Sequence, residues 1–294
     1  MTKIAIIGFG EAGRIYAEDL ASQGAQVTVW DNKFLSAEAD QLKAMAGQWR
    51  VRAAHSLAQA LEGATLVFSL VTAANALQVA QQAAALLRQG QTLLDFNSVA
   101  PDTKRAAAQA VAQGEGSYLD VAVMAPVPPK RLGTPLLIGG GQALIIAAQL
   151  TALGCQAHAA SEEIGTVSAI KMCRSVMIKG LEALTTECLA AAQRYGVEEA
   201  VLNSLHTSFP SLGWNDALPD YLISRVAEHG VRRAEEMQEV VKTLQDVGLE
   251  APLSRAIRQV QAELPAQLKS HQLQYQDLVP FSWRTVLAKL SPKC

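Results

Sequence analysis

The chain has 294 residues, half of them hydrophobic and 18% charged, which excludes a disordered polymer and allows two domains of ~100–200 residues each. Charges nearly cancel, 25 Lys and Arg against 27 Asp and Glu for a net −2, whereas a general nucleic-acid or membrane-surface binder would carry a basic excess. The four cysteines (Cys155, Cys173, Cys188, Cys294) are scattered, with no CxxC and no Cys/His cluster, so a reducing compartment is expected and no metal site.

MTKIAIIGFG enters a strand pattern at once, without a charged leader and long apolar stretch. No window reaches ~18 continuous apolar residues. The expectation is a cytoplasmic chain with no membrane and no nucleic-acid partner.

In chain order, short apolar runs predict strands at 3–7, 26–30, 65–71, 92–95, 117–122 and 136–139. Ala-rich segments at 11–22, 56–61, 74–87 and 101–112 read as helices. Runs such as IAII and LVFSLV are apolar on both faces, as strands buried in a parallel sheet must be. The alternation predicts βαβ units in a doubly wound parallel sheet over 1–161. After Ser161 the strand signal stops. Residues 162–195 read as one long helix ended by Gly196, and the pattern is helical to the end. The expected architecture is an α/β dinucleotide-type domain (1–161) followed by an all-α domain (162–294).

Gly8-Phe9-Gly10-Glu11-Ala12-Gly13 follows the first strand and opens a helix. The first Gly permits a tight turn, the second lets the backbone approach a pyrophosphate, and the third allows close helix–strand packing. The free N–H groups of the helix N-terminus then face the phosphates. Asp31 ends the next strand, about 20 residues on, where a carboxylate accepts both ribose hydroxyls of NAD and repels a 2′-phosphate. Lys33 would partly offset that repulsion. NAD is therefore the expected cofactor, with NADP as the alternative. Two later loops, Leu70–Asn75 and Asp95–Pro101, belong to the same cleft in a doubly wound sheet. They contribute Val71, Thr72, Asn97 and Ser98, of which Thr72 and Ser98 read equally well as helix N-caps.

Hydride transfer at a hydroxyl-bearing carbon needs an acid/base partner at the oxygen. Lys171 follows the small or apolar segment Val167–Ile170, which would partly desolvate its ammonium and lower its pKa. Ser175, Ile178, Lys179 and Glu182 fall within about a quarter turn of it on one helical face. An interior helical lysine is more often simply solvated, and neighbouring Cys173 reads as a small apolar filler.

The order of GFGEAG, DFNSVAP, DVAVMAPVPPKRLGTPLLIGG and the Lys171 segment resembles the β-hydroxyacid dehydrogenases, a family that includes 3-hydroxyisobutyrate, tartronate semialdehyde and 6-phosphogluconate dehydrogenases. The likeness spans ~180 residues. Beyond it, HGVRRAEEM and LQDVGLEAPLSRAI resemble a subgroup of NAD(P)-dependent oxidoreductases that carry a distinct C-terminal helical domain on a Rossmann domain. The resemblance implies a dehydrogenase or reductase acting on a hydroxy acid, or its keto or semialdehyde form, with Lys171 as general acid/base and Ser175 assisting.

The chain departs from the family in two places. A Ser-Gly-Gly usually follows Asp-x-x-Val; here Asp120-Val121-Ala122-Val123 leads into Met124-Ala125-Pro126. The Asn expected three residues after the lysine is Arg174. Both changes point to a substrate with a larger or apolar part beside Val123, Met124 and Ala125, and an acidic group held by Arg174. Lys179 and Arg233 are further anion contacts, Arg being suited to carboxylates through its bidentate fork. The competing interpretation of these cations is a solvated face with pairs such as Arg232–Glu235 and Arg232–Glu236. The long helix and the apolar content of the second domain suggest a homodimer. Two rival functions share the layout: an imine-reductase-like enzyme, and a dinucleotide-binding sensor that has lost catalysis.

Overall fold

Eight strands pair into one sheet in a computed structural model that describes residues 2–290. They are β1 (Lys3–Ile7), β2 (Gln26–Trp30), β3 (Arg52–Ala53), β4 (Leu66–Ser69), β5 (Thr92–Asp95), β6 (Ser117–Val123), β7 (Leu136–Gly139) and β8 (Ala157–Ser161), in the order β3-β2-β1-β4-β5-β6-β7-β8. Helices α1 (Glu11–Ser22), α2 (Ala39–Gln48), α3 (Leu57–Leu61), α4 (Ala76–Ala84), α5 (Pro101–Ala112) and α6 (Ala143–Ala152) lie between the strands in the sequence. The period-two alternation of a strand sorts β1 between two cores. Ile4 and Ile6 join Tyr16, Leu20, Leu42 and Ile146 on one face. Ala5 and Ile7 join Leu57, Ala80, Ala83 and Val111 on the other. Helices therefore cover both faces, as in a doubly wound sheet.

One pairing departs from the parallel expectation. β6 and β7 run antiparallel, Asp120 opposite Gly139 and Val123 opposite Leu136. The connection between them carries Pro126, Pro128, Pro129 and Pro135 and only a short 3-10 turn, Arg131–Gly133. A parallel return needs a crossover, usually a helix, and this segment cannot form one. Elsewhere α1 and α5 coincide with their predicted spans. Ser56 caps α3 rather than opening it, its hydroxyl accepting from the Gln59 amide. β3, β8, α2 and α6 escaped prediction.

Beyond β8, α7 (Thr166–Tyr195), α8 (Glu198–Ser208), α9 (Leu218–Gln245), α10 (Pro252–Ser270) and α11 (Trp283–Leu290) complete the chain. α7 starts four residues later than predicted, after Gly165 in the left-handed region at φ +96°. Contacts divide the chain into compact units Met1–Met172 and Cys173–Cys294. The helical unit has its own core, including Leu189, Leu202, Trp214, Ile223, Val226, Leu264 and Trp283. Among the described residues no helix is long and apolar enough to cross a membrane, and no group of His, Cys, Asp or Glu could hold a metal ion. Cys294 lies outside the described residues.

Where Asp95 ends β5 and Asp120 stands opposite it in the middle of β6, the core contains an ion cluster. Lys104 of α5 is fully buried. Its Nζ lies 3.1 Å from Asp95 Oδ1 and 3.2 Å from Asp120 Oδ1, and donates to the Asp95 carbonyl at 2.6 Å. The Tyr118 hydroxyl donates to Asp95 Oδ2 at 2.8 Å. Burial and the Asp95 carboxylate hold that phenol well above its ordinary pKa, so it remains a donor. Substituting Lys104→Met would leave two buried carboxylates without their cation. We expect a loss of ~3–5 kcal/mol in urea unfolding at pH 7.

Candidate active site

The loop after β1 is shaped by what a Cβ would strike. Gly8 has φ +101°, and a Cβ there would lie 2.3 Å from the Leu70 carbonyl oxygen. At Gly13 it would lie 2.0 Å from the Gly8 oxygen. At Gly10 it would meet nothing within 4 Å, so that side of the loop faces open space. Gly10 is also the N-cap residue of α1, and no side chain caps the helix. The first and third glycines thus serve packing, and the second leaves uncapped amides facing a free volume. Glu11 and Ala12 open the helix behind it. Phe9 points inward, its ring 5.7 Å from Phe34.

Asp31 does more here than its sequence position suggests. Its Oδ2 accepts the Phe9 amide at 2.7 Å and its Oδ1 accepts the Lys33 amide at 2.9 Å. A carboxylate offers about four lone-pair sites, so acceptor capacity remains for ribose hydroxyls. The open face at Gly10, the uncapped helix and this carboxylate fit the pyrophosphate and ribose of a dinucleotide.

The next loops sort differently. Asn97 is buried; its Oδ1 accepts the Val71 amide at 2.7 Å and its Nδ2 donates to Ser69 Oγ at 3.0 Å. It braces the loops after β4 and β5 against each other. Thr72 opens a 3-10 turn without capping it; its Oγ1 accepts from Asn75 Nδ2 at 2.9 Å. Ser98 is not a cap either, since α5 begins at Pro101 behind Ala100. Instead Ser98 Oγ accepts from Lys171 Nζ at 2.5 Å. The structure therefore joins two residues that lie 73 positions apart in the chain.

Lys171 lies in the second turn of α7, and the start of that helix is tied to β6. Asp120 Oδ2 accepts the Gly165 and Ser168 amides, each at 3.2 Å. The Ser168 hydroxyl lies 2.7 Å from both Asp120 oxygens. An acidic group at a helix N-terminus meets unpaired N–H groups and the positive end of the dipole. Val123, Met124 and Ala125 sit at the end of β6, half-buried. The Met124 amide donates to the Pro135 carbonyl at 2.9 Å, so it cannot serve an anion.

In the helical unit, the predicted anion contacts already have partners. Lys179 Nζ pairs with Glu236 Oε2 at 2.7 Å and donates to Ser175 Oγ at 3.3 Å. Arg233 Nη1 donates to both Glu182 oxygens, at 2.6 and 2.5 Å. Gln261 Nε2 adds a donor to Glu182 at 3.0 Å. Arg174 and Cys173 are exposed, so Cys173 fills no core. Burial raises the Glu182 pKa, with Arg233, Gln261 and Lys179 opposing it, and burial lowers that of Arg233. His229 is pushed down to about 4 by burial and then by Arg225, Arg232 and Arg233, against Glu236.

The sign of the His229 effect is definite. Its folded pKa lies below the ordinary 6.5, so the neutral ring contributes stability above pH 6.5 that is lost as pH falls toward 4. His229→Gln, which cannot be protonated, should flatten this part of the profile. We expect wild type to lose more thermal stability than the variant between pH 7 and pH 4.5 in scanning calorimetry.

Residues 3–160 match the NAD binding domain of 6-phosphogluconate dehydrogenase, and residues 192–264 match a domain of unknown function, DUF1932. A curated 3-hydroxyisobutyrate dehydrogenase of Pseudomonas aeruginosa is 30% identical over 224 residues, 73% of this chain and 72% of that protein. A conserved hypothetical protein of Sinorhizobium meliloti 1021 superposes with TM-score 0.76 at 41% identity, over 99% of this chain and 97% of that one. The fold is shared with Mycobacterium tuberculosis 3-hydroxyisobutyrate dehydrogenase solved with L-serine (TM-score 0.74, 16% identity, 99% and 100% covered). With the dinucleotide loop and the sheet order agreeing, the chain belongs to the 6-phosphogluconate-dehydrogenase-type family of hydroxyacid dehydrogenases and is an NAD(P)-dependent oxidoreductase.

Proposed function

We propose that this oxidoreductase interconverts a 3-hydroxy acid and its keto or semialdehyde form, with Lys171 as the general acid/base. The observation that carries the reading is the 2.5 Å contact of Lys171 Nζ with Ser98 Oγ, at the sheet edge that bears the dinucleotide loop. When bound, NAD(P) supplies the hydride acceptor or donor. The amides of Gly10, Glu11 and Ala12 would hold the pyrophosphate, with Phe9 fastened to Asp31 and with Gly8 and Gly13 shaping the loop. Asp31 takes the ribose hydroxyls and favours NAD. Val71, Thr72 and Asn97 line the loops beside the nicotinamide end. Lys171 takes the substrate's hydroxyl proton on oxidation and returns it on reduction, and Ser98 orients it.

Met124, whose amide is engaged, leaves no Ser-Gly-Gly cradle at the end of β6, so the substrate carries an apolar part there beside Val123 and Ala125. Arg174 holds the acidic group, and Ser175 assists in positioning. Lys179 and Arg233 act through their carboxylate partners rather than as free cations. The reading takes 1–161 as the cofactor domain and 162–294 as the substrate and dimerisation domain of a cytoplasmic homodimer. The scattered free cysteines fit a reducing compartment.

Turnover of NAD with a panel of 3-hydroxy acids, beginning with 3-hydroxyisobutyrate, tests the proposal. Lys171→Ala should lower kcat by ~10²–10⁴; an unchanged rate would refute the role given to Lys171. No turnover across the panel, with NAD still raising the melting temperature, would favour a cofactor-binding sensor. Thermal-shift titration checks the Asp31 assignment separately. NAD should stabilise at lower concentration than NADP, and the reverse order would overturn the preference.

A further inference from the structure

We infer that the buried Lys104 cluster sets the distance between Lys171 and Ser98, and that Ser168 is the positioning residue on the Lys171 side. The inference rests on the catalytic reading of Lys171. Two arms leave the Lys104 ammonium. One runs through Asp95, whose Oδ1 accepts the Asn97 amide at 2.9 Å and so anchors the residue preceding Ser98. The other runs through Asp120 to the Ser168 hydroxyl at 2.7 Å, three residues before Lys171 on α7. Residues three apart share a helix face, so Ser168 sits one turn below the reactive ammonium.

The first turns of α7 are otherwise small or apolar (Gly165, Val167, Ala169, Ile170), and apolar packing is not directional. Asp120 supplies the direction. Its three bonds to Gly165 and Ser168 fix the rotation and axial position of the helix start. Gly165 also sits close against α5: a Cβ there would lie 3.2 Å from Pro101 Cβ and 3.4 Å from the Pro101 carbonyl oxygen. Lys104 lies 3.1 Å from Asp95 and 3.2 Å from Asp120, so one buried cation braces both arms. A misplacement of 1 Å at a reacting group can cost ~10²-fold in rate.

The test needs no substrate. Competitive acetylation of the intact protein with acetic anhydride, read by mass spectrometry, compares Lys171 with exposed Lys269 as internal reference. In Ser168→Ala, Lys171 should be acetylated several-fold faster than in wild type while circular dichroism is unchanged. Ser168→Thr, which keeps the hydroxyl, should return the rate to within about two-fold of wild type. Asp120→Asn, which keeps the shape and removes the charge, should shift it in the same direction as Ser168→Ala. Equal Lys171 labelling in wild type and Ser168→Ala, or no rescue by threonine, would overturn the inference. With a 3-hydroxy acid that turns over, Ser168→Ala should lower kcat about ten-fold and leave KM for NAD unchanged; a parallel rise in KM would mean general loosening and count against positioning. A labelling shift without any turnover would support the positioning and sink the hydride-transfer reading.

Discussion

One ammonium with no access to solvent organises the α/β unit. Burying Lys104 costs several kcal/mol of desolvation, and that cost is offset only if its surroundings are close and complete. They are. Asp95 and Asp120 each lie within 3.2 Å, and the Asp95 carbonyl accepts at 2.6 Å. The excess negative charge of two carboxylates on one cation is met by neutral donors: Tyr118, Asn97, Gly165 and Ser168. The donors come from three parts of the chain: β6, the loop after β5 and the start of α7. The arrangement is therefore a specification as much as a stabilisation. β5, β6, α5 and the start of α7 have one relative placement in which every member is satisfied.

The parts of the fold that rest on local pattern were legible in the sequence. Apolar runs bounded by turns marked β1, β2, β5 and β7, and Pro101 marked the start of α5. The glycine loop declared itself because each of its glycines answers a steric demand that no other residue meets. What stayed hidden depended on contacts remote in the chain. β3 has two residues, and β8 reads AHAAS, too short or too polar for periodicity. α6 follows the Gly139–Gly141 run with a sequence apolar almost all round (ALIIAAQLTA), so no single face stands out. The antiparallel β6–β7 pair is encoded in the prolines at 126, 128, 129 and 135, which forbid a crossover helix.

The site divides along the same line. Ser98 reads as a cap from its place in the loop just ahead of α5, but Ala100 holds the cap position and the partner of Ser98 lies on α7. Lys104 sits in DTKRAAAQAVA, where a lysine is ordinarily solvated, and nothing local marks it as the core cation. In the helical unit the sequence offered Lys179 and Arg233 as anion contacts, but Glu236 and Glu182 complete them. The near-zero net charge of the chain thus arises partly from pairs closed inside a core, since Glu182 is almost wholly buried against Arg233 and Gln261.

Asp31 has a consequence for how this enzyme could change. In many dinucleotide folds the acid after the second strand is regarded as a discriminator between two cofactors, exchangeable for a neutral or basic residue. Here the same carboxylate also grips the Phe9 amide in the middle of the glycine loop. Removing it would unfasten that loop whichever nucleotide is bound, so under the role proposed for Asp31 a change of cofactor would require a second substitution to re-anchor residue 9. The turn and the nucleotide would have to change together.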